Sequence, residues 1–165
     1  MVVLIGSQLS ACQTTAQRLT FQNVQFSASD QGSTLEVSGW LSKPQSDGPY
    51  PAVFLLHSCG GATAHFKKFW PEYLNKLGYL TLAVDSAGPR GYEKCTNDFI
   101  RMKDRDRELA RDAFGALDYL STLSDVDKTR IGVMGFSLGA LTINRFAGEE
   151  LNSPKGLKFK SGVSF

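Results

Sequence analysis

Apolar residues recur along this chain at two different spacings, and the alternation between them lays out the fold. Phe21, Val24 and Phe26 punctuate a polar stretch, while Leu35, Val37, Gly39 and Leu41 alternate with polar residues. Two half-buried strands joined around residues 29–32 are expected, as an antiparallel hairpin. After a dense turn cluster at residues 43–49, the run Ala52-Val53-Phe54-Leu55-Leu56 has no polar face, which suits a strand buried on both sides. Phe66, Phe69, Trp70, Tyr73 and Leu74 then follow at spacings of three and four, a helix that Gly78 can end in the left-handed conformation. A second buried strand is expected over residues 79–84, then a Gly- and Pro-rich loop to residue 97. The longest helix is expected over residues 102–123. Leu109, Ala113, Ala116, Leu117 and Leu120 form its inner face, and Arg105, Arg107, Glu108 and Asp112 are expected to look outward. Residues 125–129 turn the chain into a third buried strand at Ile131-Gly132-Val133-Met134. A helix over residues 138–149 and the start of a fourth strand over residues 159–165 complete the pattern. Strands alternating with helices imply a parallel sheet with right-handed crossovers and helices on both faces, here with the hairpin as an antiparallel edge.

Composition narrows what such a fold is for. Hydrophobic residues make up 42% and charged residues 21%, ordinary globular usage. Eighteen basic against sixteen acidic residues, mixed in sign along the chain, argue against a nucleic-acid partner. Cys12, Cys59 and Cys95 fit no zinc spacing and only His57 and His65 accompany them, so no metal site is expected. Residues 1–18 read as a lead-in and 19–165 as a single domain. Within the lead-in, Val2-Val3-Leu4-Ile5 and Leu9-Ser10-Ala11-Cys12 look like the end of a bacterial lipoprotein signal, although no positive charge precedes the apolar run. Two readings stand: export to the periplasm with Cys12 lipidated as a membrane anchor, or a cytoplasmic protein with an incidental cysteine. In the exported case Cys59 and Cys95, both in loops at one end of the sheet, are candidates for a disulfide; the alternative is two free thiols.

In a parallel sheet of this kind, ligands gather beyond the carboxyl ends of the strands, so the loops after Leu56, Val84 and Met134 should face one crevice. The last of these is Gly135-Phe136-Ser137-Leu138-Gly139, a G-x-S-x-G that follows a buried strand and opens a helix. That context requires Gly at the flanks of a tight turn and projects the Ser137 hydroxyl above the sheet as a nucleophile. An attacked carbonyl develops an oxyanion, for which backbone N–H groups of Leu138 and of Cys59 are the candidate donors. Cys59 lies in His57-Ser58-Cys59-Gly60-Gly61, where Gly60 and Gly61 allow close approach and His57 is expected to order the loop instead of acting as the base. Arg90, in the second loop, is a candidate contact for a substrate carboxylate; the competing role is to tie its own loop to the protein.

These residues carry a resemblance. The loop at residues 57–61, the segment Asp85-Ser86-Ala87-Gly88-Pro89-Arg90-Gly91, the helix containing Arg111 and Asp112, and the elbow together resemble the dienelactone hydrolase family of α/β-hydrolases, from Phe21 to Phe165. The resemblance implies an α/β-hydrolase-type three-layer sandwich with a mostly parallel central sheet and an N-terminal antiparallel hairpin. It implies a small-molecule ester or lactone as substrate, and neither cofactor nor metal. Dienelactone hydrolase itself has a Cys nucleophile and a Glu in the first loop, where this chain has Ser137 and Ser58, so a carboxylesterase-like activity is expected ahead of dienelactone cleavage. The superfamily order is nucleophile, acid, histidine, and no Asp or His follows Ser137. A C-terminally truncated domain, inactive by itself, is therefore expected. A non-catalytic binding protein of the same fold, for a small molecule or a protein partner, is the rival reading, and a peptidase-like relative is a third. Oligomeric state is open.

Overall fold

A computed structural model describes residues 20–30, 32–92, 99–149 and 155–165. Along these residues run β1 (Phe21–Asp30), β2 (Ser33–Ser42), β3 (Tyr50–Leu56), α1 (Ala64–Lys76), β4 (Leu80–Asp85), a short 3-10 turn (Gly88–Arg90), α2 (Phe99–Thr122), β5 (Val126–Gly135), α3 (Leu138–Glu149) and β6 (Ser161–Ser164). The strands form one sheet in the order β1-β2-β4-β3-β5-β6. β1 pairs antiparallel with β2, and β2 antiparallel with β4, whereas β4, β3, β5 and β6 run parallel. The hairpin edge and parallel centre expected from the apolar pattern are present.

Each strand of the centre serves two cores because its side chains alternate between faces. Phe54, Leu56, Leu82 and Val84 point with Phe26 and Val37 toward Leu109, Ala113, Leu117 and Leu120 of α2 and Leu138 and Ile143 of α3. Leu55 and Ala83 point the other way, toward Phe66 and Leu74 of α1. Helices therefore cover both faces. Phe54, Leu55, Leu56, Leu82 and Leu120 are wholly buried, each worth roughly 1.5–3 kcal/mol of transfer free energy.

The starts of α2 and β5 differ from expectation. α2 begins at Phe99, three residues before the predicted start. β5 begins at Val126: Val126 pairs with Tyr50, and a register shift carries the strand on to Ile131 opposite Ala52, so the expected turn is an irregular part of the strand. As expected, Gly78 ends α1 in the left-handed conformation, at φ 86° just past the Leu77 cap, its N–H donating to the Asn75 carbonyl. At the other end of α1 the Thr63 hydroxyl accepts the Phe66 N–H at 3.2 Å. Cys12, Cys95 and the lead-in at residues 1–18 lie outside the described residues.

Candidate functional site

The three parallel strands β3, β4 and β5 end on the same side of the sheet, and the chain leaves β5 through a two-residue bend. β5 stops at Gly135 and α3 starts at Leu138, leaving Phe136 and Ser137 to reverse direction. The bend is bonded to both neighbouring strands: Phe136 N–H donates to Leu56 O at 3.1 Å, Ser137 N–H to Phe165 O at 2.8 Å, and Phe165 N–H to Gly135 O at 3.0 Å. Ser137 adopts φ 51°, the one positive φ at a non-glycine among the described residues. Its side chain is exposed. Non-glycine residues held in this region cost free energy and persist only where surrounding structure over-determines them.

The flanking glycines are required by space. A Cβ at Gly135 would collide with the backbone of Gly139, and a Cβ at Gly139 would lie 2.7 Å from the Leu56 carbonyl oxygen and 2.8 Å from Leu56 Cβ. The bend is thus packed so tightly between the start of α3 and the end of β3 that neither position admits a side chain.

The loop after β3 is ordered by its histidine. His57 is buried, its Nδ1 lies 2.6 Å from the Ser58 carbonyl oxygen, and the Ser86 N–H reaches its Nε2 at 3.2 Å. A neutral imidazole carrying its proton on Nδ1 satisfies both bonds. Burial pushes the His57 pKa below its ordinary value, outweighing the Ser58 carbonyl, which raises it. With both nitrogens engaged, His57 clamps the loop after β3 to the loop after β4. Gly61, at φ 80°, closes a turn with its N–H on the Ser58 carbonyl at 3.0 Å. Cys59 in this turn is disulfide-bonded. Its sequence-expected partner, Cys95, is outside the described residues. His65 is exposed near the start of α1 and stacks on Phe69 with ring centroids 4.8 Å apart.

Leu138 opens α3, where first-turn N–H groups have no carbonyl within the helix to bond. Leu138 and Cys59 line one small cleft together with His57, Ser86, Tyr92 and Arg105. A larger cleft, lined by Lys43, Glu72, Asn75 and Lys76, lies where β2 and α1 end, at the opposite end of the sheet from Ser137.

Arg90 is placed otherwise than a substrate contact would be. Its Nη1 and Nη2 donate to the two oxygens of Asp112 at 2.8 and 2.9 Å, and Nη1 also donates to the Ser86 carbonyl at 2.8 Å. The guanidinium side chain is 7% exposed and that of Asp112 0%. The fork that would read a substrate carboxylate is taken by the protein's own, so the substrate-anion expectation is corrected to a structural role. Asp112 and Glu108 are likewise corrected: both are buried, not outward-looking. Glu108 accepts a hydrogen bond from the Tyr92 hydroxyl at 3.0 Å and lies 3.6 Å from Arg90 Nε. Helix periodicity assigned these carboxylates to the outer face, but their partners Arg90 and Tyr92 come from the loop before the helix, which periodicity does not register. The Phe165 carbonyl that holds Ser137 was equally illegible, since no side-chain pattern marks a backbone acceptor. Among the described residues no cluster of His, Cys, Asp or Glu could hold a metal ion.

Comparison with known proteins places this arrangement. The family model described as Esterase FrsA-like matches residues 7–158. The Escherichia coli (strain K12) protein YcjY is 36% identical over 95 residues, covering 55% of this chain and 28% of that protein. Among solved structures, the Pyrococcus furiosus esterase Pf2001 shares 26% identity with a TM-score of 0.60, covering 87% of this chain and 50% of the other. The dienelactone hydrolase-like promiscuous phosphotriesterase P91, from metagenomic libraries, superposes with a TM-score of 0.62 at 21% identity, over 88% of this chain and 59% of its own. The chain spans less than half the length of the curated relatives it matches.

Proposed function

The chain belongs to the FrsA-like esterase family and has the dienelactone hydrolase-like α/β-hydrolase fold, and from that premise we propose that it carries the nucleophile and oxyanion site of a carboxylic ester hydrolase. The observation that carries this is Ser137: an exposed hydroxyl on a left-handed residue, braced by β3 and β6 between a central strand and a helix. In the proposed reaction Ser137 Oγ attacks the ester carbonyl carbon as a general base takes its proton, and the carbonyl electron pair moves onto oxygen. The N–H groups of Leu138 and Cys59 stabilise that oxyanion. Collapse expels the alcohol, protonated by the base, and leaves an acyl-enzyme at Ser137; water, activated by the same base, then releases the acid.

The base is proposed to come from the remainder of the whole protein. His57 has both nitrogens engaged in holding the two loops, and His65 stacks on Phe69 at the start of α1. Hydrolysis of p-nitrophenyl acetate tests the proposal. Residues 1–165 alone should turn over weakly, a whole protein containing them should turn over readily, and Ser137→Ala should abolish that turnover. Turnover in the whole protein that survives Ser137→Ala would remove the nucleophile assignment; a whole protein with none would favour the binding-protein rival. Export with a lipidated Cys12 belongs to the same proposal. Bacterial expression with a radiolabelled fatty acid should label the protein and not its Cys12→Ser variant, and an unlabelled wild type would reject the anchor.

A further inference from the structure

Ser86 is 98% buried by the measure of its 2% exposure, yet its hydroxyl makes no hydrogen bond within the described protein. Its backbone is fully used: the N–H donates to His57 Nε2 at 3.2 Å and the carbonyl accepts from Arg90 Nη1 at 2.8 Å. A buried hydroxyl without a partner carries a desolvation cost that native structures rarely leave uncompensated. Where one does occur at a site, it points to a ligand that supplies the missing partner.

The cleft Ser86 lines is the one shared by Cys59 and Leu138, and it encloses about 10 Å³, room for a single oxygen-sized group. Resting on the esterase reading above, we infer that Ser86 Oγ–H is a third donor of the oxyanion site, beside the two backbone amides. Its place is fixed from two sides before any substrate arrives. His57 holds the Ser86 amide, and Arg90, itself held bidentately by buried Asp112, holds the Ser86 carbonyl. A donor that needs no reorganisation as charge develops contributes mainly to the transition state, so its loss should appear in kcat more than in KM. This gives the Arg90–Asp112 pair and His57 a shared purpose, namely to fix the loop that carries the hydroxyl.

The test uses the side-chain nature of this donor, since the amides of Cys59 and Leu138 cannot be removed by substitution. In a whole protein with Ser137-dependent turnover, Ser86→Ala should lower kcat about a hundredfold with KM little changed. Ser86→Thr, which keeps a hydroxyl, should recover most of the loss. Binding of phenylboronic acid, which forms a tetrahedral adduct on a serine oxygen, should weaken in parallel, and the thermal midpoints of both variants should stay near the wild type. An unchanged kcat and boronate affinity in Ser86→Ala, with Ser137→Ala inactive, overturns the inference alone. Equal losses of kcat in Ser86→Ala and Ser86→Thr also overturn it, because the hydroxyl would then not be the cause. Turnover that survives Ser137→Ala overturns the nucleophile assignment beneath it.

Discussion

Replacing Ser137 by Gly and by Ala separates backbone strain from everything else at the elbow. At φ 51° a residue with a Cβ pays roughly 1–2 kcal/mol relative to a right-handed conformation, a penalty Gly escapes. Gly loses about 0.5–1 kcal/mol more backbone entropy on folding. The side chain at 137 is exposed, so neither substitution removes buried surface. Ala keeps the strain and Gly relieves it, which should leave Ser137→Gly more stable than Ser137→Ala by about 1 kcal/mol. For a domain of this size that is about 2–4 °C in the thermal midpoint. Circular dichroism melts of the two variants side by side, supported by urea titrations with a common m-value, measure it. The reasoning fails if Ser137→Ala melts at or above Ser137→Gly, because the bend would then be the relaxed state of the chain. Both variants should be catalytically dead, so a stability gain with lost activity would show that the strain is retained for the hydroxyl.

The buried Arg90–Asp112 pair should be costly to break from one side: Asp112→Ala takes the bidentate partner from a guanidinium at 7% exposure, leaving Glu108 3.6 Å from its Nε, and should cost about 3 kcal/mol by urea unfolding, while the double variant Arg90→Met with Asp112→Leu should cost less. His57 makes stability depend on pH with a definite sign. Burial holds its folded pKa below the ordinary 6.5, so the unfolded chain binds the proton first and stability falls as pH drops below about 6.5, by at most about 1.4 kcal/mol per unit. Urea titrations at pH 7.5 and 5.5 should show that loss in the wild type and less of it in His57→Gln. Alkylation of the unreduced Cys12→Ser protein followed by mass spectrometry should modify neither remaining thiol if Cys59 pairs with Cys95, and both after reduction.

The parts of this fold legible in the sequence are those in which a segment's neighbours along the chain decide its state. Unbroken apolar runs such as residues 52–56 gave central strands, alternation gave the hairpin, and the G-x-S-x-G gave a strand, a bend and a helix because only glycine fits at 135 and 139. What stayed hidden depends on segments meeting from afar. Nothing near Asp112 announces Arg90, and helix spacing alone assigned Glu108 and Asp112 to solvent. Ser86 reads in the sequence only as part of a loop, for its chemistry lies in a missing partner, which sequence cannot display. The cysteine and the glycines of the first loop were visible as residue types, but the clamp of His57 on Ser86 required the two loops to be placed side by side.

A dependency among these interactions decides where the site can tolerate change. Ser137 is positioned from below, by Leu56 of β3 and Phe165 beyond β6, and by the helix that its bend opens. The proposed donors Ser86 and Cys59 are positioned laterally, through Asp112 to Arg90, to Ser86, to His57 and so to the loop of Cys59. The two sets do not share their supports. Substitutions in the lateral chain, such as Arg90→Lys, should therefore degrade oxyanion stabilisation while Ser137 remains in place and chemically accessible. Because Lys cannot reproduce the bidentate fork, that variant should lose kcat far more than it loses reaction of Ser137 with a small fluorophosphonate, whose phosphorus centre depends less on a planar carbonyl reaching three fixed donors. Equal losses in both would mean that the elbow and the donor loop move as one unit, and that the separation drawn from their hydrogen bonds is wrong.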